Sequence, residues 1–421
     1  MSGRGYPQKS GVSGMDNVVE IRKAVADVVT AEQKSLLEGQ PESTPESKQA
    51  TPSLELPEGI MGGVAGEFAR LYSAYMESPA AFLFFSYLTC LGSMLSITLA
   101  SELRVDPRLY LLLLAESGDA RKSTAIAQAV KFFFSFEGFR QCHGIGSAEG
   151  LQKLLQESGQ MLLVFDEFRA FTSKCGIEGS VLMPCVTSLF ESDRYESHTS
   201  KKSVCIGNAR LSLLAACTVE TYEGIFSSGF LAIGFPSRLF LVHGEGNRRF
   251  SFPPKIPAYD IATLKHKTAE IIKFAEATKE IGINDEARTA YHAWYMALPK
   301  SVHARRLETY ALRFMLLFCC NEMKAIIDID VVKKVTALMD WQFRVRQKFD
   351  PVDADSNIAK LEEKIKRILA GCNGNGISKR QIQQTVHAGR FGIWAFTQAI
   401  QNLVTNGDAT FDKKTGYRLS K

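Results

Sequence analysis

No Cys-x-x-Cys pair occurs in the chain: its nine cysteines are an odd number at irregular spacing. That excludes a disulfide scaffold or a zinc framework and fits reduced thiols. No two of the seven histidines stand at a helical ligand spacing. A metal held by protein side chains alone is therefore not expected. Charge of one sign is not in excess either. Fifty Lys+Arg face 45 Asp+Glu, a net +5, which excludes a uniform polyelectrolyte surface. The N-terminus shows no apolar signal segment and the chain no internal repeat, so a cytoplasmic location is expected.

Long uncharged runs are scarce. One, from Ala80 to Ala100, covers 21 residues and is long enough to span a bilayer. It contains Ser86, Thr89, Gly92, Ser93, Ser96 and Thr98, and no Lys/Arg cluster lies beside it. The expectation is a buried helix ahead of the core sheet, with no membrane partner.

What is present is a globular composition, 45% hydrophobic over 421 residues, enough for two to four domains. Residues 16–37 have the spacing of a short amphipathic helix. Residues 38–57 are rich in Pro, Glu, Ser and Thr and read as a linker, so residues 1–57 are expected to be a disordered tail. Continuous apolar runs at Leu109–Ala115, Met161–Phe165, Leu211–Cys217 and Leu239–Val242 suit strands buried on both faces. Helices are expected from Lys122 to Phe134 and, capped by Ser147, to about Glu157. This alternation predicts a parallel α/β sheet over residues 58–250, and residues 251–350 read as almost wholly helical. A short acidic break at 349–356 follows.

Residues 109–124 read LYLLLLAESGDARKST: a buried strand, a small turn-rich loop, then Lys-Ser-Thr opening a helix. That is the setting of a phosphate-binding P-loop, in which backbone amides cradle phosphates. Ser117, Gly118, Asp119, Ala120, Arg121 and Thr124 would form the cradle, Lys122 would reach the terminal phosphate and Ser123 would ligate Mg²⁺. Glycine is missing where Glu116 and Arg121 stand. A second apolar strand ends in Asp166-Glu167, which suits a magnesium-binding carboxylate and a water-orienting one; the alternative is a simple cap on Phe168–Phe171. Thr218, ending another strand, is placed to sense the γ-phosphate or is merely satisfied by backbone. Arg238, between a turn and a strand, suits an arginine finger or is an ordinary surface arginine.

The stretch from Leu56 to about Trp341 resembles the uncharacterised helicase-like P-loop ATPases of prophages, plasmids and mobile elements. The shared parts are Leu56-Pro57, the apolar helix at Ala80–Ala100, Arg121-Lys122-Ser123, Asp166-Glu167 and Gly234–Arg238. The resemblance implies an AAA+-like, ATP- and Mg²⁺-dependent homo-oligomer, such as a hexamer, with Arg121 as the family's own loop variant. It also implies a helical lid whose Tyr310–Phe314 segment brings Arg313 to the nucleotide, and a primase or another replication protein as partner.

Residues 357–421 hold eleven Lys/Arg against four Asp/Glu, so the basic character lies in this segment. Helices at Ile358–Ala370, after Ser378 and at Gly392–Asn406, then a hairpin over 407–419, predict a winged helix-turn-helix. Arg390, Trp394, Thr397, Gln398 and Gln401 would face a DNA groove while Lys413, Lys414 and Arg418 meet phosphates. The alternative is a protein-docking module with Trp394 in its core. The reading is a DNA-acting ATPase motor. Its rivals are an ATP-dependent loader that separates no strands and a non-enzymatic DNA-binding scaffold.

Overall fold

The structure is a computed structural model and describes residues 54–99, 101–116, 118, 120–198, 203–225, 234–278, 280–350, 357–372 and 374–420. All of them belong to the compact unit Pro52–Lys421. The expected helix at 16–37, nearly all of the linker, Ser117, Asp119 and most of the break at 349–356 lie outside the described residues.

In chain order the elements begin with α1 (Gly63–Tyr75), α2 (Ala80–Leu95), β1 (Tyr110–Ala115) and α3 (Lys122–Phe133). Then come β2 (Gln141–His143), α4 (Ala148–Ser158), β3 (Gln160–Phe165), α5 (Phe168–Cys175) and α6 (Leu182–Ser188). A hairpin of β4 (Tyr195–His198) and β5 (Ser203–Ile206) precedes β6 (Arg210–Thr218), α7 (Val219–Ile225) and β7 (Phe240–His243). The helical stretch holds α8 (Ala258–Ala277), β8 (Gly282–Ile283), α9 (Asp285–Met296), α10 (Leu307–Asn321), β9 (Ile326–Ile327) and α11 (Ile329–Phe349). The last part is α12 (Asn357–Gly371), α13 (Lys379–Thr385), α14 (Ile393–Thr405) and the hairpin β10 (Ala409–Asp412) with β11 (Gly416–Leu419).

Five strands pair in the order β2-β3-β6-β1-β7, every neighbour parallel. The α/β expectation holds at this level. The chain leaves β1 for the β2 side, returns through β3 and β6, then crosses to β7, so the strand order reverses around β1. In open α/β sheets such a reversal opens a crevice at the carboxyl ends of the strands. β1 and β3 are buried along their whole length, which is why each reads as an unbroken apolar run.

The uncharged run at residue 80 is the central core helix. α2 has 16 residues and packs against α1, α3 and the sheet. At 1.5 Å per residue it spans about 24 Å, short of the ~30 Å apolar layer of a bilayer. Among the described residues no helix is long and apolar enough to cross a membrane. Two of its polar groups are satisfied internally: Thr89 Oγ1 donates to Phe85 O at 2.7 Å, and Tyr87 pairs with Thr268 of α8 at 2.8 Å.

One apolar cluster runs from Ile60 to Phe349, so residues 251–350 share their core with residues 58–250. Buried arginines stitch the two together. Arg346 of α11 donates to Ser237 O at 2.9 Å and Leu239 O at 3.0 Å, at the start of β7. A second cluster, from Leu361 to Ala409, is the core of the C-terminal module. There Ser378 and Gln381 form a capping box on α13, and Ile377 pairs with Tyr417 of β11 beside the hairpin.

Gly92 lets α2 approach the backbone closely: a Cβ there would lie 2.2 Å from Pro107 O. Helix propensity alone favours Gly92→Ala by about 1 kcal/mol. The clash reverses the sign, and the variant is expected to lose about 1–3 kcal/mol of stability in denaturant unfolding.

Candidate functional site

The parallel register brings three strand ends to one edge. Ala115 of β1 stands opposite Thr218 of β6, and Phe165 of β3 opposite Ala215. The loop after β1, the Asp166-Glu167 pair and Thr218 therefore lie side by side at the carboxyl edge. Lys122 opens α3, and its Nζ donates to Ala115 O at 3.2 Å and Glu116 O at 3.1 Å. Burial lowers the Lys122 pKa, while Cys217, Glu167 and Glu116 pull it the other way. The ammonium is thus held over the loop within the field of Glu167.

Arg121 explains one missing glycine. Its φ of +47° and ψ of +41° lie in the left-handed region that glycine adopts freely. Glu116 does not need such a conformation, and Gly118, with φ +83°, has open space where a Cβ would sit. The side chain of Arg121 turns away from the loop to pair with Glu77 Oε2 at 3.1 Å. This side chain thus has a structural partner while it stays half exposed. Ala120 is buried, Thr124 half-buried and Ser123 exposed on the first turn of α3, a helix end without a side-chain cap. Uncapped first-turn amides suit an anion.

Asp166 is exposed just past β3. Glu167 is the N-cap of α5, its Oε1 accepting from Arg169 N at 3.4 Å. This long bond leaves most of the carboxylate's acceptor capacity unused. Thr218 Oγ1 accepts from Thr221 N at 3.1 Å and bonds Thr221 Oγ1 at 2.7 Å, so it caps α7 while standing beside the loop. Among the described residues no group of three or more His, Cys, Asp and Glu side chains could hold a metal alone. Mg²⁺ here would rest on Ser123, Asp166 and phosphate oxygens, a donor set of hard oxygens that suits it.

Two arginines lie elsewhere. Arg313 is 3% exposed; it donates to Arg108 O at 3.0 Å and to Phe190 O, and its guanidinium covers the Phe190 ring at 4.2 Å. Arg108 precedes β1, so Arg313 braces the amino edge of the sheet and the expected lid contact is not made in this arrangement. Arg238 precedes β7 at the same amino edge, with Nη1 donating to Gly234 O at 3.0 Å. A six-residue strand, about 20 Å long, separates it from the loop of its own chain.

In the C-terminal module Trp394 is 73% exposed, so it is not core. Gln401 is exposed, and Thr397 is half-buried, its hydroxyl donating to Ile393 O. Gln398 turns inward, unlike the expected outward residue: it donates to Asn402 Oδ1 at 3.0 Å, and Asn402 to Glu362 of α12 at 2.6 Å. Lys413 and Lys414 are exposed on the hairpin turn, which Asp412 Oδ1 fixes by accepting from Lys414 N and Thr415 N, both at 2.9 Å. Arg418 is half-buried, and the side chain of Arg390 lies outside the described residues. Beside α14 lies a cleft of about 920 Å³ that sequence reasoning missed, lined by Lys379, Arg380, Gln383, Gln384 and His387. α12 meets the main body through Lys364 and Glu223 of α7, 2.6 Å apart.

Glu77 was also missed, although a lone acid between two apolar helices is a visible signal. Its Oε1 accepts from Arg249 N at 2.8 Å and Phe250 N at 3.0 Å. Those backbone bonds, Phe250 first, and then Arg121 hold its carboxyl down to about 2 from an ordinary 4.5. The sign follows: the folded value is the lower one, so the contribution of Glu77 is complete above about pH 4.5 and lost as pH falls toward 2. Melting temperature against pH should fall less steeply in Glu77→Gln than in the parent over that window. Compared with family models and with curated proteins, the chain matches none.

Proposed function

We propose that the chain is an ATP-hydrolysing, AAA+-like P-loop ATPase that acts on DNA as an oligomer, in the helicase-like manner its sequence suggests. The observation that carries this reading is the meeting of the Lys122 loop with Asp166-Glu167 at one sheet edge, with Lys122 in the field of Glu167. In this reading the α3 amides and Lys122 hold the phosphates, and Ser123 and Asp166 hold Mg²⁺. The metal, when bound, offsets the charge that develops on the transferred phosphoryl group. Glu167 orients water, and Thr218 stands where it can sense the terminal phosphate. Arg238, a strand's length from its own loop, can serve only the nucleotide of a neighbouring copy.

The helix–helix–helix–hairpin order of residues 357–420 supports a winged helix on DNA. Exposed Trp394 and Gln401, with half-buried Thr397, would face a groove, and Lys413 and Lys414 would meet phosphates. A loader that separates no strands remains the second reading, favoured by the direct tie of this module to α7 through Lys364 and Glu223.

ATP hydrolysis measured with and without single- and double-stranded DNA tests the proposal. Lys122→Ala should abolish nucleotide binding, whereas Glu167→Gln should keep it and lower turnover by about 10²–10³-fold. A Glu167→Gln protein that turns over at the parental rate would sink the assignment.

Separately, replacing Lys413 and Lys414 with alanine should reduce the log–log salt slope of DNA affinity by about one unit per lost phosphate contact. Basal hydrolysis should be unaffected. An unchanged slope would make the module a protein-docking one.

A further inference from the structure

A non-glycine residue in the left-handed region costs on the order of 1–3 kcal/mol and persists only where its surroundings over-determine it. Arg121 is such a residue, and it stands at the turn from which Lys122 and Ser123 emerge. Its surroundings supply a brace from distant chain. Nε and Nη2 of Arg121 both lie 3.1 Å from Oε2 of Glu77, 44 residues earlier. The neighbouring Ser78 hydroxyl donates to Arg121 O at 3.1 Å. Side chain and carbonyl of the strained residue are thus both held by the turn between α1 and α2.

Glu77 is in turn fixed. Its side chain is 7% exposed, and its second oxygen takes the N–H groups of Arg249 and Phe250, which follow β7. The Arg249 guanidinium donates back to Ser73 O and Met76 O, closing a ring of contacts around the same turn. One carboxylate therefore joins three segments: the α1–α2 turn, the start of α3 and the chain that leads to α8. No side-chain cap on α3 shares the task.

We propose that Glu77 is a positioning residue for the loop: its carboxylate holds Arg121 in the left-handed conformation that aims Lys122 and Ser123 at the carboxyl edge of the sheet. This rests on the reading of that edge as a nucleotide site. Two guanidinium nitrogens are engaged in the brace, while the Lys122 ammonium lies against the loop's own carbonyls. The arrangement does with a pair of side chains what a glycine does by lacking one.

Glu77→Gln keeps the shape and both backbone bonds to Oε1 while removing the charge opposite Arg121. Two readouts are compared: hydrogen exchange of the peptide carrying Arg121 in the free protein, and the Kd for Mg·ATP. In Glu77→Gln both should rise about tenfold, with turnover at saturating ATP changed far less. Arg121→Gly in the Glu77→Gln background should return both to within about threefold of the parent, since glycine needs no brace. A general structural role for Glu77 would not be rescued at position 121. Arg121→Lys, which keeps the charge but loses the two-nitrogen grip, should raise exchange in the same direction and serves if Glu77→Gln does not fold. Unchanged exchange in these variants, or no recovery with Arg121→Gly, overturns the proposal. If the parent binds no Mg·ATP, the nucleotide reading fails by itself, and the brace is then decided by the exchange data, which need no ligand.

Discussion

The parallel pairing of β1, β6 and β3 is the constraint on which the rest of the molecule depends. Parallel strands send all their carboxyl ends to one side, and the register Ala115–Thr218 and Phe165–Ala215 leaves no room for those ends to scatter. Residues far apart in sequence, Lys122 and Glu167 among them, become electrostatic neighbours for that reason alone. Such a sheet must be covered on both faces, and the uncharged helix α2 packs on it beside α3, with α1 against α2.

The two edges of the sheet are treated oppositely. At the amino edge, arginines are buried and spent on carbonyl oxygens: Arg313 on Arg108 and Phe190, Arg346 on Ser237 and Leu239. These bonds offset part of the cost of burying the guanidinium groups and join sheet to helices at this edge. At the carboxyl edge, Glu116, Ser123, Asp166 and Glu167 are exposed and the first turn of α3 is uncapped. These are the polar groups that the proposed chemistry would use. Arg238 sits at the amino edge, a strand's length from the loop of its own chain, so the proposed finger would act between copies.

α7 links the proposed site to the C-terminal module. Thr218 caps it at one end, and Glu223 meets Lys364 of α12 near the other. Lys364 also lies over the Phe391 ring at 5.0 Å, just ahead of α14. A shift of Thr218 thus has a short route of packed groups to the proposed DNA-facing helix.

The sequence by itself determined the elements whose signals are local. A strand buried on both faces has to be apolar throughout, so β1, β3 and most of β6 were legible as uncharged runs. Ser147 and Ser378 announced α4 and α13 because a cap acts within three residues of itself. β2 was not legible: two half-buried residues and one exposed residue carry no run. The hairpin β4–β5 was also missed. Only the tertiary structure decided which edge each arginine occupies, that Gln398 turns toward α12 while Trp394 faces out, and that Glu77 braces Arg121. These depend on strand register and on partners 40 to 205 residues away. Periodicity and capping report a residue's neighbours along the chain; they hold no record of what the folded sheet sets beside it.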